Sequence, residues 1–218
     1  MSQSLTGPSI AAAGPGRILV AALIPLVAFM AMAHTTVVGD SAGSMTPSQV
    51  GDRAVQWILV ACFWVLPVIL AAIAFTRLAT LLEAGSLIRL LAFVGIVLLF
   101  AHVVAQAGVI WFVDSPTLGD SSLYAFAILV SLLGWWAVDV AAVLTCRELL
   151  RAKAASTAAL VIGLLTGLFF VLELVIYVPA LVGGKELHDT IGLPPMLLPL
   201  LWAVLGAILW RKTASARA

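Results

Sequence analysis

The feature that most constrains this chain is a series of hydrophobic runs of membrane length, separated by short polar connections. Five lie near Trp57–Phe75, Leu90–Val113, Leu123–Cys146, Ala158–Val182 and Pro195–Trp210. Each approaches or exceeds the ~20 residues that a ~30 Å hydrocarbon core requires of a helix. A shorter run, ILVAALIPLVAFMAMAH, follows Arg17. Its basic flank and the AMA before His34 imitate a cleaved secretory signal, but its length favours a retained helix. Periodicity does not separate helix from strand in runs this apolar; length does. The expectation is an all-α integral membrane protein with about six transmembrane helices in one compact bundle. The bundle occupies residues 17–212, after a disordered lead-in at 1–16 and before a tail at 213–218.

Composition agrees with a lipid solvent. The chain is 63% hydrophobic and 10% charged, whereas about a quarter of the residues of a soluble domain are charged. There is no basic tract of the kind that binds nucleic acid. The two cysteines, Cys62 and Cys146, form no metal or redox motif. They are expected near opposite ends of their helices, too far apart for a disulfide.

Basic residues sort by side. With six crossings and an inner N-terminus, the cytoplasmic segments hold Arg17, Arg77, Arg89, Arg147, Arg151, Lys153, Arg211, Lys212 and Arg217. The outer segments hold Arg53 and Lys185 alone, so nine basic residues face two. By the positive-inside rule both termini are cytoplasmic and the protein is a multi-pass protein of the plasma membrane, in bacterial terms the inner membrane. Asp40, Asp52, Asp114, Asp120, Glu186 and Asp189 make the outer loops acidic, and Trp57, Trp111 and Trp210 fall at expected interfaces.

Sliding the chain on itself by 70 residues lays the second and third runs on the fourth and fifth without a gap. Ile58-Leu59-Val60 meets Ile128-Leu129-Val130, Val68, Ala71 and Ala72 meet Val138, Ala141 and Ala142, and Arg77 meets Arg147. Ser86 and Phe100 meet Ser156 and Phe170. Such a match suggests a parallel duplication of a helix hairpin, unlike the inverted repeats common in transporters. It also brings His102 within one residue of alignment with Glu173.

The polar residues left inside the runs are the candidates for function. A charge at the centre of a bilayer costs at least about 2.5–3.5 kcal/mol, so it usually faces a protein interior. Glu173 stands alone in VIGLLTGLFFVLELVIYVPA, and Asp139 stands in GWWAVDVAAVL. Counting ~1.5 Å per residue from the ends of each run places His102 and Glu173 at one depth and Asp139 about 15 Å nearer the cytoplasm. Gln106 follows His102, and Tyr177 follows Glu173, by one helical turn, while Thr166 extends the face of Glu173 inward. The expectation is an outward-facing polar cavity lined by His102, Gln106, Glu173 and Tyr177, in which Glu173 takes up and gives back a proton or binds a cationic group. Asp139, beside Trp135 and Trp136, is a second station, where an aromatic wall next to a carboxylate suits an organic cation. The bland alternatives are a packing contact for Glu173 and His102, and an ion pair of Asp139 with Arg77 or Arg147.

Gly163 and Gly167 form a GxxxG motif on a different side of the helix from Glu173, where they would meet another neighbour. Pro67 and Pro179 are placed to kink or end their helices, and Pro194-Pro195 to start the last. There is no phosphate loop, HExxH or GxSxG, and no metal site or cofactor is expected. A haem held by His34 and His102 is disfavoured because His34 lies at the outer end of its run. His188 in GGKELHDTIG has acidic neighbours but no evident co-ligands.

Three functions fit these residues. The first is a proton- or cation-coupled small-molecule transporter or permease component, with Glu173 and Asp139 as proton donors and acceptors. His102, Gln106, Tyr177, Trp135, Trp136 and Thr166 would then hold the substrate. The second is an intramembrane enzyme acting by acid catalysis on a lipidic substrate, such as an isoprenoid cyclase or isomerase. The third is an accessory subunit whose buried charges answer those of other membrane subunits. The partners expected are the bilayer and a small-molecule or lipidic ligand.

Overall fold

A computed structural model describes residues 13–35, 45–113, 115–182 and 194–215. Among them every regular element is helical: α1 Ala13–Ala21, α2 Leu23–Thr35, α3 Pro47–Gly51, α4 Ala54–Leu81, α5 Ser86–Phe112, α6 Ser122–Arg151, α7 Ser156–Val182 and α8 Pro194–Ser215. Asp40, Asp114, Lys185, Glu186, His188 and Asp189 lie outside the described residues, as does the side chain of His34.

Five helices are long and apolar enough to cross a membrane: Ala13–Met32, Ala54–Leu81, Ser86–Phe112, Ser122–Arg151 and Ser156–Pro179. The surface fits that solvent. On α5, Leu90, Phe93, Val97, Phe100 and Val104 are exposed, and on α7 so are Leu160, Leu164, Leu168, Val171 and Val175. Each set recurs every three or four residues, one continuous apolar stripe per helix. The chain is therefore a multi-pass membrane protein. α6 is the most enclosed of these helices and packs against α4, α5 and α7.

The first crossing is α1 and α2 joined at Ala22, three residues before Pro25, which has no N–H to continue the ladder. Helix begins at Ala13, so the last four residues of the expected disordered lead-in are structured. The reason is packing. A Cβ on Gly16 would sit 2.7 Å from the Gly206 carbonyl oxygen, so α1 and α8 touch backbone to backbone. Gly16 lies against Trp210, and Val20 against Gly206, so the two helices run antiparallel. Arg17 closes the contact with its guanidinium 5.3 Å from the centre of the Trp210 ring. A second glycine crossing joins α5 to α6, where a Cβ on Gly134 would lie 2.9 Å from Leu99 Cγ and 3.2 Å from the Gly95 carbonyl.

The hairpins α4–α5 and α6–α7 coincide at an offset of 70 residues. Leu81 and Arg151 end the first helices, Ser86 and Ser156 start the second, and Phe112 and Val182 end them. The turns match bond for bond. Ala84 N–H donates to Ala79 C=O at 2.8 Å, and Ala154 N–H to Leu149 C=O at 2.9 Å. Glu83 N–H donates to Thr80 C=O at 3.2 Å, and Lys153 N–H to Leu150 C=O at 3.0 Å. These are the paired bonds of a Schellman cap, and Glu83 (φ 51°) and Lys153 (φ 53°) supply its left-handed residue. Val68, Ala71 and Ala72 are wholly buried, and so are Val138, Ala141 and Ala142.

At the opposite end a lid forms from α3 and residues 115–121. Thr46 and Gln49 make a reciprocal capping box on α3. Leu118 N–H donates to the Met45 carbonyl at 2.9 Å, tying the two segments together. Beneath them Val50, Trp57, Val109, Leu118, Tyr124 and Tyr177 form a separate apolar cluster. Cys62 and Cys146 are both free thiols.

Candidate functional site

The register between α6 and α7 decides which polar residues meet. A Cβ on Gly163 would lie 2.9 Å from Cys146 Cβ, whereas one on Gly167 would stand 3.9 Å from Val143 Cγ2. The GxxxG pair therefore packs on α6. Moving ten residues up α7 from Gly163 to Glu173 moves ten residues back along α6 from Cys146 to Trp136, and there Trp136 Nε1–H donates to Glu173 Oε2 at 3.1 Å. The glycines and the glutamate thus share one neighbour, contrary to the expectation of two. The two glycines separate in a simple test. Gly163→Ala is expected to lower thermal stability by about 1–3 kcal/mol through overpacking, while Gly167→Ala should be neutral or slightly stabilising. Melting curves in detergent would compare them, and equal effects would contradict this register.

The same register corrects the distance between the carboxyls. Asp139 lies three residues from Trp136, so it is only about 4.5 Å along α6 from the Glu173 contact rather than 15 Å. Depth counted from the ends of separate hydrophobic runs missed the stagger that the Gly163–Cys146 contact imposes.

Asp139 is 0% exposed and Glu173 1%. Among the described residues neither Asp139 Oδ1 nor Oδ2 has a hydrogen-bond partner, and the same holds for Glu173 Oε1 and Trp135 Nε1. The ion pair with Arg77 or Arg147 is not formed; the ion pair found among the described residues is Arg151–Glu148 at 2.9 Å. An unsatisfied buried polar group costs about 1–3 kcal/mol, more if charged. Around these atoms stand three indoles. The Trp135 ring lies 5.1 Å from Trp64, which in turn lies 5.1 Å from Phe29. Trp64 Nε1–H donates to Ser131 Oγ at 3.1 Å. Among the described residues no group of three or more His, Cys, Asp or Glu side chains is placed to hold a metal ion.

The other sequence candidates are placed elsewhere. His102 Nδ1–H donates to the Ala127 carbonyl of α6 at 2.8 Å; a carbonyl only accepts, so this nitrogen carries the proton. Gln106 Oε1 accepts from Trp57 Nε1–H at 3.0 Å. Trp57 is thus buried and bonded instead of floating at the interface, while Trp111 and Trp210 are exposed. Tyr177 is buried in the cluster under the lid with Trp57 and Tyr124. Thr166 Oγ1 accepts from Trp202 Nε1–H of α8 at 3.2 Å.

His102 and Glu173 do not share a depth. His102 meets α6 at Ala127 and Glu173 meets it at Trp136, nine residues apart, or about 13 Å of helix. Their helices, α5 and α7, share no substantial interface. The cavity expected from four residues resolves into a paired His102–Gln106 region under the lid and an unpaired Asp139–Glu173 centre. The residues that sequence reasoning missed are Trp64, Trp202 and Ser131. The signal for them was seven tryptophans in a chain with few polar side chains, because a buried indole N–H seeks an acceptor.

Comparison with protein-family models, with curated proteins and with solved structures finds no match for this chain.

Proposed function

We propose that this protein is a proton- or cation-coupled transporter of a small molecule, or the permease component of one, working through Asp139 and Glu173. One observation carries the reading. Two carboxyl groups from adjacent helices are enclosed together, and among the described residues three of their four oxygens have no hydrogen-bond partner and no basic side chain pairs with them. Buried polar groups kept for packing are normally satisfied. Intramembrane carboxyls left unsatisfied are retained, against stability, where something binds.

The topology that supports this has α8 as a sixth crossing, consistent with its antiparallel contact on α1. The excess of basic residues on one side then favours cytoplasmic termini in a plasma membrane, of the bacterial inner-membrane kind. The matching turns at an offset of 70 residues support a parallel duplication. Ile69 and Val103 stand where the second copy has Asp139 and Glu173, so the carboxyl pair belongs to one copy alone.

A second reading is supported by the indoles. A carboxyl one turn from Trp135, whose ring meets that of Trp64 at a 40° tilt, suits acid catalysis on a lipidic or isoprenoid substrate, with Asp139 as acid and aromatic faces stabilising a carbocation. The accessory-subunit reading has less support, because charges meant for a partner would lie on the outer surface.

In proteoliposomes with an entrapped pH dye, wild type is expected to carry proton flux under an imposed gradient. Glu173→Gln should reduce that flux to the rate of protein-free vesicles. Undiminished flux in Glu173→Gln would refute the assignment.

A further inference from the structure

We propose that the ion handled at this centre is a proton, held as one proton between Asp139 and Glu173, with the Trp135 indole N–H meeting Asp139 when that proton leaves. The inference rests on reading the pair as an ion-coupling site.

The first support is the donor set. The free side-chain oxygens are Asp139 Oδ1, Asp139 Oδ2 and Glu173 Oε1, since Glu173 Oε2 is taken by Trp136. A metal cation entering a membrane protein must have its hydration shell replaced by a full set of oxygens, which usually come from backbone carbonyls at broken helices. α6 runs unbroken from Ser122 to Arg151, so the carbonyls around Asp139 are committed to the helix. Pro179 releases the Val175 carbonyl on α7, where Val175 is 64% exposed on the apolar stripe, and Pro67 and Pro199 release one carbonyl each on α4 and α8, single acceptors that do not make the full shell of a broken helix. The hydroxyls of Ser131 and Thr166 already accept from Trp64 and Trp202. A proton needs only two oxygens.

The second support is the idle donor. Trp135 and Asp139 are four residues apart on α6, hence on one face, and the Trp135 N–H is buried without an acceptor. An indole N–H can only donate. Proton uptake forms an O–H bond on one carboxyl, which donates to the other. Release breaks that O–H bond and passes the proton to water, leaving two carboxylates. Each then has an indole donor, Trp136 on Glu173 and Trp135 on Asp139.

Other titratable groups do not intervene. α4 carries the Cys62 thiol and, near its end, Arg77, with Glu83 in the turn that follows, and α5 carries Arg89 near its start and His102 at the Ala127 level. α6 itself has Arg147, Glu148 and Arg151 in its last turns, with Cys146 against Gly163. Tyr177 lies one turn beyond Glu173 under the lid, and Arg211 and Lys212 lie near the end of α8. Neither carboxyl forms an ion pair with any described residue.

Infrared difference spectroscopy of the full chain in vesicles, titrated in pH, follows the carbonyl band of protonated carboxyls directly. Wild type should gain this band as one proton is taken up, at a midpoint that Na⁺ or K⁺ in place of choline does not move. Asp139→Asn and Glu173→Gln should each displace the midpoint by one pH unit or more, because the surviving carboxyl loses its charged partner. Trp135→Phe, which keeps a ring in place and guards against variants that fail to fold, should displace it by about one unit through the lost hydrogen bond. Competition by Na⁺ or K⁺ would overturn the proton and leave ion coupling standing. An unmoved midpoint in the carboxyl variants would overturn the sharing. No band and no salt effect would remove both this inference and the function on which it rests.

Discussion

Gly206→Val is expected to destabilise the protein by about 3 kcal/mol or more, at the top of the range for overpacking, although the residue touches no functional group. Its Cβ would stand 2.6 Å from the Gly16 carbonyl oxygen and 2.6 Å from Leu19 Cβ. Neither atom is the tip of a flexible side chain, so relief requires moving α1 away from α8. Separation would undo the contact that joins the first and last helices and withdraw Arg17 from Trp210. Small residues matter at such crossings because helix association in lipid depends on close van der Waals contact, not on a hydrophobic drive. Gly108→Ala is the control. Its Cβ would meet Leu123 Cδ2 at 3.4 Å and Phe112 Cδ2 at 3.8 Å, both side-chain atoms at ordinary contact distance, so a change within ~1 kcal/mol is expected, mostly from the gain in helix propensity. Thermal melting in detergent compares them, and a Gly206→Val protein that melts with wild type would contradict the crossing.

Replacing Asp139 by leucine is expected to have the opposite sign. The substitution removes two buried oxygens that have no hydrogen-bond partner among the described residues and relieves Glu173 of a second carboxyl beside it. A gain of about 1–3 kcal/mol follows, since exchanging a poorly satisfied buried charge for a packed hydrophobe is often stabilising. Proton flux should be lost at the same time, the usual trade between stability and a strained functional site. Purified Asp139→Leu would be scored for melting temperature and for flux. A large loss of stability would mean that Asp139 holds the helices together.

Much of the architecture was legible in the sequence because a bilayer sets helix length directly. The start of α8 at the Pro194-Pro195 pair and the 70-residue correspondence could be read from letters, whereas α4 and α6 run on past the ends of their apolar runs at Phe75 and Cys146 to Leu81 and Arg151. The helical start at Ala13 could not, because Gly14-Pro15-Gly16 looks like a leader until Gly206 is placed beside it. Glu173 and Asp139 stood out as carboxyls in hydrocarbon, whatever their partners. Their proximity was hidden, since a one-dimensional count fixes depth along one helix but not the stagger between two. His102 looked like a site residue for the same reason and is instead bonded to a carbonyl of α6. Trp57 was read as an interface anchor and Trp136 as part of a cation-binding wall, and they donate to Gln106 and Glu173; Trp64 and Trp202, not singled out in the sequence, donate to Ser131 and Thr166.

The most direct measurement is a double-mutant cycle on thermal stability with Asp139→Asn, Glu173→Gln and the combined variant, all in detergent. Neighbouring carboxyls kept for function predict single variants at least as stable as wild type and a coupling above ~0.5 kcal/mol, the level at which independent sites add. Additive effects would separate the two residues, and collapse of either single variant would make that carboxyl a structural contact.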